Sequence, residues 1–341
     1  MGKSDIGEAN LDKILEAYIE AGIIDKDGII PLSTVKNTTT TQDFSAEVFG
    51  HETFAAVRRH PDCHDVSLSN EEKVMEKSSD AGYDREFITV AGSVNADVDE
   101  IVRLVEQGVD TNALLIFSAA MNKNPDVVRF LIEAGADVNY ANCHAMTPLL
   151  YSVRDNGNFD IVQLLIKAGA NVNTKDKIGR TPLIWAVIRS HLDMVKASIE
   201  AGADVNIIDR YGHAPLEWAV LCSVDINIMK ALIDAGADVN NEIGTSLKWA
   251  VVNKRLDMIQ ALIETGADVN AVNKDGETCL MWAAQYHKNP SIIQALIKAG
   301  ADVNAIDNCG MTPLMYYKKY NDSPEILEAL IKAGADTNKE S

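Results

Sequence analysis

The chain has no surplus of basic charge. Its 31 Lys and Arg residues face 50 Asp and Glu residues, giving a formal net charge of -19 and a pI near 4.7. Nucleic-acid binding draws on Lys and Arg to displace counterions from phosphates, so a nucleic acid or an anionic membrane is excluded as partner and a basic one is favoured. Cysteine is scarce too: Cys63, Cys143, Cys222, Cys279 and Cys309 are odd in number, widely spaced and without a Cys-x-x-Cys pair. That pattern suits reduced cytoplasmic thiols better than a disulfide framework. No window approaches the roughly 18 uninterrupted apolar residues of a spanning helix. The opening Met-Gly-Lys-Ser-Asp-Ile has no secretory apolar core, and Ile6 stands where a myristoylation signal needs Ser or Thr. These absences predict an acidic, soluble, cytoplasmic protein that needs no membrane.

What is present is a repeat. The string AGADVN or a close variant recurs with its glycine at Gly108, Gly135, Gly169, Gly202, Gly236, Gly266, Gly300 and Gly334, at spacings of 27, 34, 33, 34, 30, 34 and 34 residues. One unit reads directly. Asp176 and Gly179 make a tight turn, and Thr181-Pro182 opens a helix with proline in its first turn. Leu183, Ala186 and Val187 give that helix a small-residue packing face. His191 to Asp193 links to a second helix with Met194, Val195 and Ile199 as apolar positions, which Gly202 ends as a left-handed C-cap. One such helix pair cannot bury its own apolar face, so neighbours must stack.

These residues resemble the ankyrin repeat family. The Gly-x-Thr-Pro-Leu pattern stands at Gly179 to Leu183 and Gly310 to Leu314, and with substitutions at Gly212 to Leu216, Gly276 to Leu280 and Ala145 to Leu149. The resemblance implies an all-α solenoid of about eight helix pairs with β-hairpin fingers over residues 84–341. It also implies protein binding through the finger tips and the exposed positions of the inner helix. The family's His after Leu is replaced by Leu150, Ile184, Glu217, Lys248, Met281 and Met315, which predicts looser coupling between fingers. Hairpins are expected to be cut short where Asn112 runs into Leu114 and around Glu242 to Thr245.

Residues 1–83 carry no repeat. Asn10 to Glu20 reads as an amphipathic helix, Ser45 to Arg59 as a second, and a third begins at Ser69 with Glu72 closing a capping box. The segment is expected to be a helical N-terminal cap or a small accessory domain. Residues 1–92 hold 9 basic and 18 acidic residues, which makes this end the more densely acidic part. Asp25 to Gly28 brings its glycine too early for a calcium loop. His51, His60, Cys63 and His64 lie close together but match no zinc spacing, so no metal is expected. No nucleophile elbow, phosphate loop or metalloprotease helix is present. The chain is therefore expected to be no enzyme and to need no cofactor.

All 4 tryptophans fall in one column, as Leu-x-Trp-Ala at Trp185, Trp218, Trp249 and Trp282, flanked by Tyr151 and Tyr316 and preceded by Phe117. The column reads either as packing between inner helices or as an aromatic groove, with Glu217 or Glu277 as its carboxylate, that holds a cationic side chain such as a methylated lysine. Carried over from the family, the finger-tip contacts are Ile178, Arg180, Tyr211 and His213. The inner-helix contacts are Ile188, Arg189, Leu221, Cys222, Val252, Asn253, Gln285 and Tyr286. The reading is a monomeric, non-catalytic scaffold that recognises a basic protein surface, with an inhibitor or effector of an enzyme as the alternative.

Overall fold

The structure is a computed structural model that describes residues 96–222, 224–240 and 246–337, all within one unit of the chain, Leu68–Ser341. The expected N-terminal helices, the Asp25 to Gly28 turn, the His51/His60/Cys63/His64 group and the shortened hairpin at Glu242 to Thr245 lie outside the described residues.

Among the described residues the chain forms fifteen α-helices. A single helix, α1 (Val98–Glu106), comes first. Seven inner–outer pairs follow: α2 (Thr111–Met121) with α3 (Pro125–Glu133), α4 (Pro148–Tyr151) with α5 (Phe159–Lys167), α6 (Pro182–Ile188) with α7 (Leu192–Glu200), α8 (Pro215–Leu221) with α9 (Ile226–Asp234), α10 (Ser246–Val252) with α11 (Leu256–Glu264), α12 (Cys279–Tyr286) with α13 (Pro290–Lys298), and α14 (Pro313–Tyr320) with α15 (Pro324–Lys332). Helix α4 continues as a π-helical turn, Ser152–Asn156. Inner helices pack on inner helices and outer on outer, and each pair closes on itself. The result is the helical solenoid the repeat predicts.

Local chemistry fixes where each helix begins. Thr147, Thr181, Thr278 and Thr312 accept the third-position amide through Oγ1, all at 3.3 Å. Except at Thr278 a proline follows in the first turn, where its missing N–H costs nothing. Outer helices are capped by Asn124, Asn158, Asp225 and Asn289, whose Oδ1 accepts the amide two residues on. Each outer helix then ends at a glycine with positive φ, such as Gly169 at 90°. Between helices the packing is dry and close. Leu183, Leu216, Leu247 and Leu280, with Ala186, Ala219, Ala250 and Ala283, are all fully buried, and the small alanines let neighbouring inner helices approach.

Two asparagine ladders tie the repeats together. In the turn after each outer helix, Asn139, Asn173, Asn206, Asn240, Asn270 and Asn304 each donate Nδ2–H to the capping-glycine carbonyl of the next repeat, at 3.0–3.3 Å. Their Oδ1 atoms accept an amide of that same next repeat at 2.7–2.8 Å. The second ladder runs along the inner-helix C-termini. There Asn122, Asn156, Asn253 and Asn321 donate Nδ2–H to carbonyls of the preceding repeat. The expected looseness from the missing family histidine is met by these bonds. The short spacing into Gly135 has the effect foreseen: Asp110 caps α2 directly and Asn112 lies in its first turn. Even so, Asn112 Oδ1 takes the ladder amide of Asp137 at 2.7 Å.

Candidate functional site

Each described finger is built on one Asp or Asn. Asn142, Asp176, Asp209, Asn273 and Asp307 accept, through Oδ1, the amides two and four residues on, at 2.7–3.1 Å. The expected β-hairpins are therefore side-chain-stapled turns. The one β-bridge among the described residues pairs Val272 with Thr278. Adjacent fingers touch backbone to backbone, Arg210 N–H donating to Ile178 O at 2.8 Å and Asn308 N–H to Asp275 O at 2.9 Å.

The second carboxylate oxygen reaches the aromatic column nine residues on. Trp185 Nε1–H donates to Asp176 Oδ2 at 3.0 Å, Trp218 Nε1–H to Asp209 Oδ2 at 2.9 Å, and Tyr316 O–H to Asp307 Oδ2 at 2.7 Å. At the first of these fingers the sense reverses, Asn142 Nδ2–H donating to Tyr151 Oη at 3.0 Å. Asn273 breaks the pattern. Its Nδ2–H goes to Glu277 Oε2 at 2.8 Å, and Trp282 Nε1 is left buried without a partner, because an amide nitrogen and an indole nitrogen are both donors.

The gaps between successive rings are filled by the protein's own side chains that can carry positive charge. The Arg154 guanidinium lies 5.1 Å from the Tyr151 ring centre and 5.7 Å from that of Trp185. Arg180 sits between Trp185 and Trp218, at 4.8 and 4.6 Å, and pairs with Asp209 at 3.8 Å. The His213 ring lies between Trp218 and Trp249, roughly perpendicular to both, with ring centres 5.7 and 6.4 Å apart. Lys248 Nζ lies over Trp249 at 5.9 Å and Trp282 at 4.4 Å. Burial pushes the His213 imidazole below the usual histidine range, Asp209 opposing and Arg180 adding to the shift. Burial likewise lowers the Lys248 ammonium, against the raising field of Glu277.

This geometry settles where each expected contact lies. Trp185 and Trp218 are buried and Trp249 and Trp282 half-buried, with Arg154, Arg180, His213 and Lys248 between the rings. Arg180 is interior, 1% exposed. Glu217 is buried as well and serves the fold. Ala214 lacks the capping hydroxyl, so Glu217 Oε2 accepts the Ala214 amide at 2.8 Å, and Oε1 accepts from Ser246 Oγ at 3.1 Å. Burial pushes that carboxyl up to about 7. Ile188, Leu221, Val252 and Asn253 are buried. Ile178, Arg189, Tyr211, His213, Cys222, Gln285 and Tyr286 are half-buried and keep part of their surface.

The exposed apolar surface stands one column away, where sequence reasoning did not look. Ile208, Val272 and Ile306 are 47%, 62% and 60% exposed, and each lies two residues after the turn-ladder asparagine of its repeat. The signal was available in part: two residues after the AGADVN asparagine the copies hold Ala141, Lys175, Ile208, Glu242, Val272 and Ile306, a β-branched apolar residue in three of the six. On one side of this row run the exposed carboxylates Asp204, Asp268 and Asp302, and on the other the exposed tip residues Lys274 and Asn308. Among the described residues no group of three or more His, Cys, Asp and Glu side chains is placed to hold a metal.

Stacked helix pairs and stapled fingers define a repeat solenoid. Comparison with known families places the chain within that class. The family model for ankyrin repeats in three copies matches residues 89–176, 156–243 and 245–341, and the chain belongs to the ankyrin repeat family. Among solved structures it is similar to the human ASB11 ankyrin repeat domain, with 24% identity and a TM-score of 0.55 over 65% of this chain and 98% of that one. The ankyrin repeat domain of Bcl-3, a member of the IκB protein family, gives 23% identity and the same TM-score and coverage. A search of curated proteins finds no match. Ankyrin repeats are in general protein-interaction modules, and among the described residues no helix is long and apolar enough to cross a membrane.

Proposed function

We propose that the chain is a non-catalytic protein-binding scaffold whose partner lies across the fingers, with the row Ile208, Val272 and Ile306 as its apolar seam. The exposure of these three residues, in one column of a rigid stack, carries the reading. Isolated exposed hydrophobes are ordinary; an aligned row at one repeat position is the geometry of an interaction patch. The finger-to-finger hydrogen bonds hold the row in place before a partner arrives, which lowers the ordering cost of binding. Ile178 and Tyr211 flank the seam at the tips. The carboxylates Asp204, Asp238, Asp268 and Asp302, exposed on neighbouring turns, favour basic residues on the partner side that meets them.

Ile208→Asp, Val272→Asp and Ile306→Asp combined in one chain test the proposal by affinity capture from native lysate against the wild-type bait. The substituted side chains already face water, so helix content by circular dichroism should hold while capture falls at least tenfold. Equal recovery of the same partner by both baits refutes the finger seam.

A further inference from the structure

The filled ladder has one exception, at its C-terminal end. From Tyr151 to Trp282 every gap between rings holds a side chain of the protein itself that can carry positive charge: Arg154, Arg180, His213 and Lys248. In the next gap, between α12 and α14, the finger position that supplies Arg180 and His213 to the earlier gaps supplies Glu277 instead. Its Oε1 accepts from Tyr316 O–H at 3.0 Å, and the same phenol oxygen stands 2.7 Å from Asp307 Oδ2. One phenolic proton cannot serve two carboxylates, so either Glu277 Oε1 or Asp307 Oδ2 lacks the phenol as donor. Burial and the two carboxylates push the Tyr316 phenol far above its ordinary range.

Aromatic rings stand beside these two carboxylates. Trp282 lies against Tyr286 within α12, tilted, at 5.4 Å between ring centres, and Tyr316 stacks on Tyr320 within α14 at 6.2 Å. Unlike Trp185 and Trp218, this end is open: Tyr286 is half-buried and Tyr320 is 41% exposed. Tyr286 lies within the field of both Glu277 and Tyr320. Among the described residues, Lys248 lies over Trp282 and in the field of Glu277, and Lys319 lies over Tyr320 at 5.0 Å. We propose that this last gap takes its cation from outside: an ammonium or guanidinium group on a protein partner, held against Tyr286 and Tyr320 and neutralised by Glu277. Rings and a carboxylate together are the chemistry that holds such a group.

The inference rests on the ladder and not on the finger seam, so either can fail alone. The chain's 4 tryptophans give four indole N–H resonances in the intact protein, each reporting its own gap. N-acetylarginine methylamide should shift the Trp282 signal saturably, and its neutral isostere N-acetylcitrulline methylamide should bind at least fivefold more weakly. The Trp185 and Trp218 signals, whose gaps are filled, should stay put. Glu277→Gln should weaken the arginine response about tenfold, and the more exposed Tyr320→Leu, which keeps the fold testable should the first variant fail, about threefold. An equal response to both amides, a shift spread over all four indoles, or no saturable shift of Trp282 overturns the proposal. Tighter binding of free choline than of the arginine amide overturns the assignment to a protein side chain.

Discussion

His287 should make the stack acid-sensitive, and Glu217 should hide that sensitivity. His287 follows α12 in the column where Asn122, Asn156, Asn253 and Asn321 donate across to the preceding repeat. It is 1% exposed, and both ring nitrogens lack a hydrogen-bond partner; the Val251 carbonyl faces the ring outside bonding geometry. Burial, reinforced by nearby Lys254 and opposed by Val251, lowers the imidazole to about 4. In the unfolded chain it titrates near 6.5. Above that pH the ring is neutral in both states and contributes nothing. As pH falls through the window from about 6.5 to 4, the unfolded chain binds a proton that the folded one refuses. Stability therefore drops by up to 1.36 kcal/mol per pH unit, about 3 kcal/mol by pH 4.

Glu217 runs the other way. Its folded value of about 7 lies above the unfolded 4.3–4.5 range, so its contribution is favourable at low pH and is lost as pH rises, again by about 3 kcal/mol at pH 7. Between about pH 4.5 and 6.5 the two slopes nearly cancel. Urea unfolding at half-unit steps from pH 4 to 7.5, followed by tryptophan fluorescence and by far-ultraviolet circular dichroism, checks this on wild type and two variants. Relative to wild type, His287→Asn should gain about 3 kcal/mol at pH 4 from the lost titration. About 1 kcal/mol more, the worth of a new bond to the Val251 carbonyl, should add at every pH, so the total gain is about 4 kcal/mol at pH 4 and about 1 kcal/mol at pH 7. Glu217→Gln should gain at pH 7 and little at pH 4. Taking differences between variant and wild type removes the background of other carboxylates. A His287→Asn difference that stays constant from pH 4 to 6.5 would refute the reasoning.

Other perturbations test the ladders and fingers. Asn270→Ala removes a donation to Gly300 O at 3.0 Å and an acceptance from Asp302 N–H at 2.7 Å, which should cost about 2 kcal/mol and speed amide exchange at Asp302. Gly276→Ala and Gly300→Ala share a positive φ, 79° and 93°, and so a strain of roughly 1–2 kcal/mol. Only at 276 would the new Cβ meet Asn308, at 2.8 Å from Oδ1 and 2.9 Å from the backbone N. Thermal denaturation should therefore place Gly276→Ala clearly below Gly300→Ala; equal midpoints would mean the fingers part without cost. Asn273→Asp gives the buried Trp282 Nε1 an acceptor but sets a second charge beside Glu277, so it should stabilise only when combined with Glu277→Gln, by about 1 kcal/mol in urea titration.

What the sequence made legible follows from what repeats. Gly-x-Thr-Pro-Leu and AGADVN are local instructions, a capped helix start and a glycine stop, and local instructions can be read one unit at a time. The terminal Asn of AGADVN was in view in every copy, but its function is a bond to the next copy, which no single unit displays. The tryptophan column shows the same limit at the candidate site. Its alignment was plain from spacing, while its filling was not: Arg180 comes from a finger, Arg154 from the π-helical turn after α4 and Lys248 from the helix itself, so no common offset announces them. Inner-helix residues such as Ile188 and Leu221 were assigned to a surface by family position, yet here they are buried. The exposed apolar residues moved to Ile208, Val272 and Ile306, on the fingers. Function in a repeat protein is therefore read best where a column breaks its own rule. Asn273 for Asp leaves an indole unpaired, His287 for Asn leaves a ring unpaired, and Glu277 stands where Arg180 and His213 stand in earlier repeats. All three departures fall in one repeat, beside the Trp282–Tyr286 and Tyr316–Tyr320 ring pairs.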